Sequence, residues 1–219
     1  TQIQWAVDAA GDTGDTVWVS NGVYVLTNQI VVTNAVTLRS AEGHGPEDIL
    51  IDGGFTDIGA EGETTNRRCL WMSNAAALVY GFTFSNGASL LVTNKYDYSG
   101  SGAGVWMRAG VLSNCVVRDS ALFSPLYSYG GGGGIYCDGT ASQGATVTAC
   151  RVFGNILTNL VFQAGNVRGA GFGLYLAGNT FVSDCVISNN RIAGSAGTEN
   201  RGAGVYASGS GCQVRSCLI

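Results

Sequence analysis

The sequence predicts an all-β fold, a right-handed parallel β-helix (solenoid) with a short N-terminal capping helix. Three observations lead to this prediction. The 219 residues contain 34 glycines and 2 prolines and are 46% hydrophobic, a composition typical of short strands joined by tight turns. Apolar residues alternate with other residues over short runs, which is the pattern of β-strands. Similar segments recur about every 34 residues, as in stacked solenoid repeats.

Four cysteines establish the register of the repeats. They follow one another at intervals of 35, 35 and 32 residues, and Gly81 is assigned the equivalent position one repeat earlier. Because one repeat is too short to bury a core, the repeats are expected to stack so that equivalent residues form ladders. The predicted ladders are a cysteine ladder, Cys115, Cys150, Cys185 and Cys217, and a polar ladder five residues later, Asn86, Ser120, Asn155 and Asn190.

Each repeat opens with an alternating triplet such as Val105-Trp106-Met107. Since successive side chains of a strand point to opposite faces, the first and third residues are expected in the core and the aromatic residue outside. The predicted outward row, hereafter the aromatic row, consists of Trp71, Trp106, Tyr136, Tyr175 and Tyr206. With a rise of ~4.8 Å per coil, the row is interpreted as a contact surface for glycans or proteins. The alternative is that loop residues cover it, namely Tyr96, Tyr98, Phe123, Tyr127 and Tyr129.

The chain is interpreted as one domain, residues 1–219. Residues 1–11 are predicted to form the capping helix, 12–65 the first coils, and 66–219 the repeats. In the helix, Thr1 is the expected N-cap, and the expected apolar face consists of Ile3, Ala6, Val7 and Ala10. The sequence stops within a repeat, so the C-terminus is expected to be truncated or uncapped. An open coil end favours self-association, end to end or laterally.

Charge and hydropathy restrict the partners. The net charge of −4 with 11 Lys and Arg residues argues against nucleic acid, because binding to a phosphate backbone needs clustered basic residues. No run of ~18 apolar residues occurs, so no membrane-spanning helix is expected in this segment.

No catalytic residues are predicted, because no column of the aligned repeats places two acids on adjacent coils. Arg108 and Asp138 do share a column, which favours an exposed ion pair and leaves a site open as the alternative. His44, in the segment "EGHGPEDI", is interpreted as a turn histidine.

The seven cysteines are predicted to be buried free thiols that pack as small apolar groups. A disulfide between neighbouring ladder thiols, or between Cys212 and Cys217, is the alternative. No metal site is predicted, because the chain has one histidine and no Cys-x-x-Cys pair. The acidic stretch Glu42–Glu63 is interpreted as a solvated loop, with calcium binding as the alternative. No other cofactor is expected.

Two parts of the sequence resemble known families. The opening "IQWAVDAAGDTGDTVWVSNGVYV", followed by "VTLRSAEGHGPEDILIDGG", resembles the N-terminal cap and first coils of the pectin-lyase-like right-handed β-helix superfamily. The later openings "GGGIYC" and "GAGVY", with the closings "CRVFGN" and "CVISNN", are similar to repeats of bacterial polymorphic outer-membrane proteins and surface adhesins. This resemblance implies an extracellular or cell-surface location, associated with the outer membrane if the source is bacterial.

The superfamily includes both enzymes and structural proteins, so the fold leaves the activity open. The Gly-His-Gly element around His44 resembles one of the polygalacturonases, but Ala193 in "NRIAG" stands where that family has a lysine. The sequence therefore predicts a non-enzymatic secreted or cell-surface β-helix that serves as a structural stalk, adhesin or filament component. The alternative is a polysaccharide lyase or glycoside hydrolase, which would need the acid cluster that the repeats lack.

Overall fold

The structure is a computed structural model that describes residues 2–11, 14–55, 67–90, 100–124, 129–140, 142–159, 168–193 and 202–219. One helix, α1 (Gln2–Ala9), precedes the strands. The strands are β1 (Thr16–Val19), β2 (Gly22–Val25), β3 (Ile30–Val32), β4 (Thr37–Ser40), β5 (Ile49–Asp52), β6 (Leu70–Met72), β7 (Leu78–Tyr80), β8 (Thr83–Ser85), β9 (Ala88–Leu90), β10 (Val105–Met107), β11 (Gly110–Ser113), β12 (Val116–Arg118), β13 (Ala121–Ser124), β14 (Tyr129–Gly131), β15 (Ile135–Gly139), β16 (Ala145–Thr148), β17 (Arg151–Phe153), β18 (Ile156–Asn159), β19 (Arg168–Ala170), β20 (Leu174–Gly178), β21 (Thr180–Ser183), β22 (Val186–Ser188), β23 (Arg191–Ala193), β24 (Val205–Ala207) and β25 (Gln213–Arg215).

The strands stack into parallel sheets, which confirms the predicted all-β parallel β-helix. Sheet A has seven strands in the order β1-β4-β7-β11-β16-β21-β25. Sheet B is β2-β5-β8-β12-β17-β22, and sheet C is β3-β6-β10-β15-β20-β24. A four-stranded sheet D, β9-β13-β18-β23, and the pair β14-β19 add further strands to the later coils. Every strand therefore pairs with its equivalent one coil away, as stacked repeats require.

The core lies between sheets A, B and C and is built from the inward columns that the alternation predicts. In sheet C the first and third triplet residues of β6, β10, β15 and β20 are fully buried. In sheet A the column Leu112, Val147 and Val182 is also fully buried. A smaller second cluster packs sheet D against the segments that return to sheet C, and it consists of Ala103, Leu122, Leu157 and Phe172.

Helix α1 caps the first coil through both apolar and polar contacts. Ile3 and Val7 are buried, but the structure corrects the predicted apolar face, because Ala6 is exposed. The Gln4 side-chain amide donates to Val31 O (3.1 Å) and accepts the Val31 N–H (2.7 Å). The Gln4 amide thus forms the two hydrogen bonds with the free edge of β3 that a neighbouring strand would otherwise form. Thr1 lies outside the described residues.

The predicted register needs one correction. In the pairing of β7 with β11 and of β8 with β12, Cys115 is level with Phe82, and Gly81 is level with Asn114. The physical reason is a longer turn: residues 73–77 separate β6 from β7, whereas residues 108–109 separate β10 from β11. Gly81 therefore belongs to a column of left-handed turn residues, Asn114, Ala149, Asp184 and Ser216, which have φ of 48 to 55°.

The last coil exposes apolar side chains. Leu218 and Ile219 are 69% and 66% exposed, and Val214 is 37% exposed, although the equivalent Val182 is fully buried. In the part of the chain that the structure describes, no helix has the length and apolar character needed to cross a bilayer.

Candidate functional site: the aromatic row and its flanks

The five residues of the aromatic row lie side by side on the outer face of sheet C. The pairing of β6, β10, β15, β20 and β24 places each ring directly above the previous one. Ring centroids are 6.3 Å apart for Trp71 and Trp106, 5.9 Å for Trp106 and Tyr136, 5.2 Å for Tyr136 and Tyr175, and 5.1 Å for Tyr175 and Tyr206. The alternation of the sequence therefore located the row correctly.

The rings contact one another rather than forming a flat platform. The two pairs that contain Trp106 are T-shaped, and the two tyrosine pairs are tilted. Each such pair contributes about 0.5–1.5 kcal/mol beyond its buried area. Tyr136 is 3% exposed, and the other four residues are half-buried. The row therefore stabilises the stacking of the coils, and a smaller part of its surface remains open to contact.

Asp138 and Arg108 lie beside Trp106, in the column that the sequence assigned to them. Asp138 Oδ1 accepts the Trp106 indole N–H at 2.9 Å, and Asp138 Oδ2 lies 3.6 Å from Arg108 Nε. Burial raises the pKa of Asp138, while the Trp106 hydrogen bond and the Arg108 charge act in the opposite direction. Because the indole N–H is already bound to Asp138, it is not a free donor for a ligand.

Arg68 is a buried cation under the aromatic row that the sequence analysis missed. Its guanidinium donates to Gly102 O (2.8 Å), Ser101 O (2.7 Å) and Gln29 Oε1 (3.0 Å). Its Cζ lies 4.8 Å from the Trp106 ring centroid, a cation–π contact. Burial lowers the pKa of Arg68 to about 10, so the side chain is charged at neutral pH. Nothing in the repeat pattern distinguishes this arginine from Arg67.

Glycine-rich backbone covers one flank of the aromatic row. A Cβ added to Gly131 would overlap the Tyr175 ring, and one on Gly102 would lie 3.0 Å from Tyr136 Cβ. These close approaches require glycine. Of the expected covering side chains, Phe123 packs instead against Phe55, with ring centroids 5.4 Å apart. Tyr96, Tyr98 and Tyr127, and the side chain of Tyr129, lie outside what the structure describes, so the contact role of the row stays a prediction.

The cysteine ladder stacks in register between sheets A and B. Cys115, Cys150 and Cys185 are buried, Cys217 is partly exposed, and all seven cysteines are free thiols. Each ladder Sγ contacts the backbone carbonyl oxygen two residues earlier, at 3.1 to 3.2 Å. A hydrogen bond with Cys115 and then burial raise the pKa of Cys150. Burial raises the pKa of Cys69 to about 12. The thiols of Cys150 and Cys69 therefore stay protonated and behave as core groups.

The polar ladder forms at three of its four predicted positions. Ser120, Asn155 and Asn190 are buried and in register. Asn155 Oδ1 accepts the Ser120 N–H at 3.1 Å, and Asn190 Oδ1 accepts the Asn155 N–H at 3.1 Å. Asn86 is the exception, because it is level with Asp119 and adopts the left-handed φ of 54°. Its side chain leaves the ladder and donates to Asp52 Oδ1 at 3.1 Å.

The acidic stretch is described only as far as Phe55. There Asp48 Oδ2 accepts the Gly45 N–H at 3.1 Å and lies 3.4 Å from His44 Nδ1, and Asp52 Oδ1 accepts the Gly54 N–H at 2.8 Å. Among the described residues, no group of three or more His, Cys, Asp or Glu side chains is arranged to hold a metal ion. Asp57, Glu61 and Glu63 lie outside those residues, and calcium binding stays a prediction.

No family model, no curated protein and no solved structure matches the chain.

Proposed function

We propose that the chain is a non-enzymatic, secreted or cell-surface β-helix that serves as a rigid stalk and contacts other molecules through its sides. The observation that carries this proposal is the unbroken stacking of the coils. Seven strands of sheet A pair in parallel register, and aromatic, thiol and amide ladders continue from coil to coil. Such repetition favours a stiff rod, because each coil is held by its neighbours. Adhesin and filament component are variants of the same role.

The burial of most of the thiols is compatible with the proposed location. An oxidising environment converts accessible thiolates into disulfides. Five of the seven thiols are buried, and burial raises the pKa of Cys69 and Cys137. A chain with such protected thiols can keep them reduced outside the cell. The resemblance of the repeats to bacterial surface proteins points to the same location.

The proposed contact surface is the exposed part of the aromatic row, together with the loops at its flank. Aromatic side chains with few rotamers are favoured at contact surfaces. The proposed partners are a glycan or a surface protein, or a second copy of the chain.

The test combines shape, mass and activity. Size-exclusion chromatography with light scattering and negative-stain imaging should show rods, filaments or stacked oligomers. Incubation with acidic polysaccharides should leave them intact. Release of unsaturated or reducing ends by a monomer would overturn the proposal in favour of the alternative, a polysaccharide lyase or glycoside hydrolase. Any such release is then compared between Asp138→Asn and the matched exposed control Asp184→Asn, since Asp138 is the carboxylate held beside the aromatic row.

A further inference from the structure

A groove of ≈ 570 Å³, hereafter the sheet B groove, runs along the outer face of sheet B, on a different sheet from the aromatic row. Its lining includes Leu50, Thr83, Val116 and Arg151, which lie in register on β5, β8, β12 and β17. The next residue of each strand is buried in the core, so these four side chains point outward. The groove therefore crosses four successive coils, a length of ~14 Å at ~4.8 Å per coil.

The middle of the sheet B groove is apolar. Leu50 is half-buried and Val116 is 8% exposed. Thr83 adds no free donor to the floor, because its hydroxyl donates to Pro46 O at 2.6 Å. The floor between the two ends therefore favours a ligand with an apolar body.

One end of the sheet B groove carries a cation that is held in place but not neutralised. Arg151 is exposed, and its Cζ lies 5.3 Å from the Phe153 ring centroid, a cation–π contact. Within the described part of the chain, no residue forms a hydrogen bond or an ion pair with the Arg151 guanidinium, whereas the neighbouring Arg118 is paired with Asp119. The edge of the Arg151 guanidinium, which carries its N–H donors, is therefore available to a carboxylate.

The other end of the groove carries a carboxylate. Glu47 lies in the turn before β5, three residues ahead of Leu50, and is exposed. Its carboxylate oxygens lie over Gly45, where an added Cβ would approach them to 2.7 Å. Glu47 has no ion-pair partner among the residues that the structure describes. This end of the groove therefore favours an ammonium group.

Opposite charges at the two ends of an apolar groove complement a zwitterion with an apolar body. An extended peptide of four residues spans ~14 Å at ~3.4 Å per residue, which is the length of the groove. We propose that the sheet B groove binds a short apolar peptide with free ends. The C-terminal carboxylate of the peptide accepts hydrogen bonds from Arg151, and its N-terminal ammonium group lies beside Glu47. The assignment concerns a separate site and does not rest on the proposed stalk function.

The first experiment uses four forms of the tetrapeptide valine-alanine-valine-alanine: free, acetylated at the N-terminus, amidated at the C-terminus, and modified at both ends. Calorimetric titration of the whole chain at low ionic strength, where screening is weak, should give saturable 1:1 binding of the free form. Amidation should weaken binding at least about 5-fold and acetylation at least about 2-fold, because each removes one charge pair. No saturable binding of the free form up to about 5 mM, or equal affinity of all four forms, would overturn the proposal.

Acetate and the dipeptide valine-alanine distinguish a peptide site from a simple anion site. Acetate carries the carboxylate alone, and the dipeptide spans only ~7 Å, which is too short to reach both ends of the groove. Each should bind at least about 10-fold more weakly than the free tetrapeptide. If acetate binds as tightly as the tetrapeptide, the groove binds anions alone and the peptide assignment is wrong.

The carboxylate end is tested with Arg151→Gln and the matched control Arg215→Gln. Arg215 is also exposed and lies 5.9 Å from the Phe181 ring centroid, but it is outside the sheet B groove. Amidation of the peptide should no longer change the affinity of Arg151→Gln, and it should keep its effect in Arg215→Gln. An effect of amidation that persists in Arg151→Gln would contradict the assignment.

The ammonium end is tested in the same way with Glu47→Gln and Glu42→Gln. Glu42 is an exposed acid of a neighbouring turn that lies outside the groove. Acetylation of the peptide should lose its effect in Glu47→Gln alone. If Arg151→Gln does not fold, the two glutamate variants and the four peptide forms still decide the assignment, and an unchanged effect of acetylation in Glu47→Gln would overturn it.

Discussion

Asn155 and Asn190, on neighbouring coils, are joined by a hydrogen bond of 2.9 Å from Nδ2 of Asn155 to Oδ1 of Asn190. Asn155 Nδ2 also donates to Val117 O at 3.1 Å, and its Oδ1 accepts the Ser120 N–H at 3.1 Å. All of these groups are buried. The amide ladder therefore continues the hydrogen bonding of the coils through a turn between sheets B and D, where no strand pairing is available.

Replacing Asn155 with alanine should destabilise the chain by about 2–4 kcal/mol, because the Ser120 N–H and Val117 O would be left buried without partners. The measurement is the free energy of unfolding in urea. Asn28→Ala, at an exposed position, is the control and should change stability by less than about 0.5 kcal/mol. Similar losses in the two variants would show that the ladder adds nothing specific.

The polar ladder also shows where sequence-based prediction succeeds and fails. Four cysteines in equivalent positions predict the register of Ser120, Asn155 and Asn190 correctly. One repeat earlier the cysteine is replaced by Phe82, and the longer turn 73–77 changes the spacing. The prediction therefore placed Asn86 one position away from its true column. An alignment of repeats has no means of locating an inserted turn residue when the marker residue itself is missing.

The candidate site also contains features that the sequence predicts and features that it does not. A period of two places the aromatic row on the outer face of sheet C, because alternation alone determines which face a side chain occupies. Coverage of the row by loop side chains was the alternative that the sequence offered, whereas the cover that the structure describes comes from glycine-rich backbone near Gly102 and Gly131. Arg68 was also missed, because a single arginine next to an aromatic residue of another coil leaves no periodic signal.

Ala149 occupies a backbone conformation that glycine adopts more easily. Its φ is 53°, in a column whose other members are Gly81, Asn114, Asp184 and Ser216. Ala149→Gly should raise the free energy of unfolding by about 1 kcal/mol, because the left-handed region costs a Cβ-bearing residue about 1–2 kcal/mol and part of that gain is lost to backbone entropy. Ala145→Gly, on strand β16, should instead lower stability. A loss of stability in both variants would contradict the interpretation of the turn column.

The free energy of unfolding should depend on pH through the ionisation of Asp138, and Asp138→Asn should lack this dependence. Since burial raises the pKa of Asp138 in the folded state, the folded state binds this proton more tightly than the unfolded state. Stability from this group is therefore greatest below its unfolded pKa and is lost as pH rises through the folded pKa. The asparagine keeps an oxygen that can accept the Trp106 N–H.

The measurement is urea unfolding of both proteins between about pH 3 and pH 7, the range in which aspartate ionises. The stability of Asp138→Asn relative to the unmodified chain should increase as the pH rises. The opposite trend would mean that the Arg108 charge and the Trp106 hydrogen bond outweigh burial. Asp184→Asn, at an exposed position of the same chain, corrects for general charge effects.

Reactivity of the thiols should follow burial. Cys212 and Cys217 are partly exposed, and the other five cysteines are buried. Burial raises the pKa of Cys69 to about 12. At pH 8 only about 1 in 10⁴ of the Cys69 thiols is therefore ionised. Iodoacetamide at pH 8 should therefore modify Cys212 and Cys217 first, as measured by peptide mass spectrometry, and reach Cys69 and Cys137 only after unfolding in urea. Modification of Cys69 as fast as Cys217 in the folded chain would show that the coils open readily, which a rigid stalk excludes.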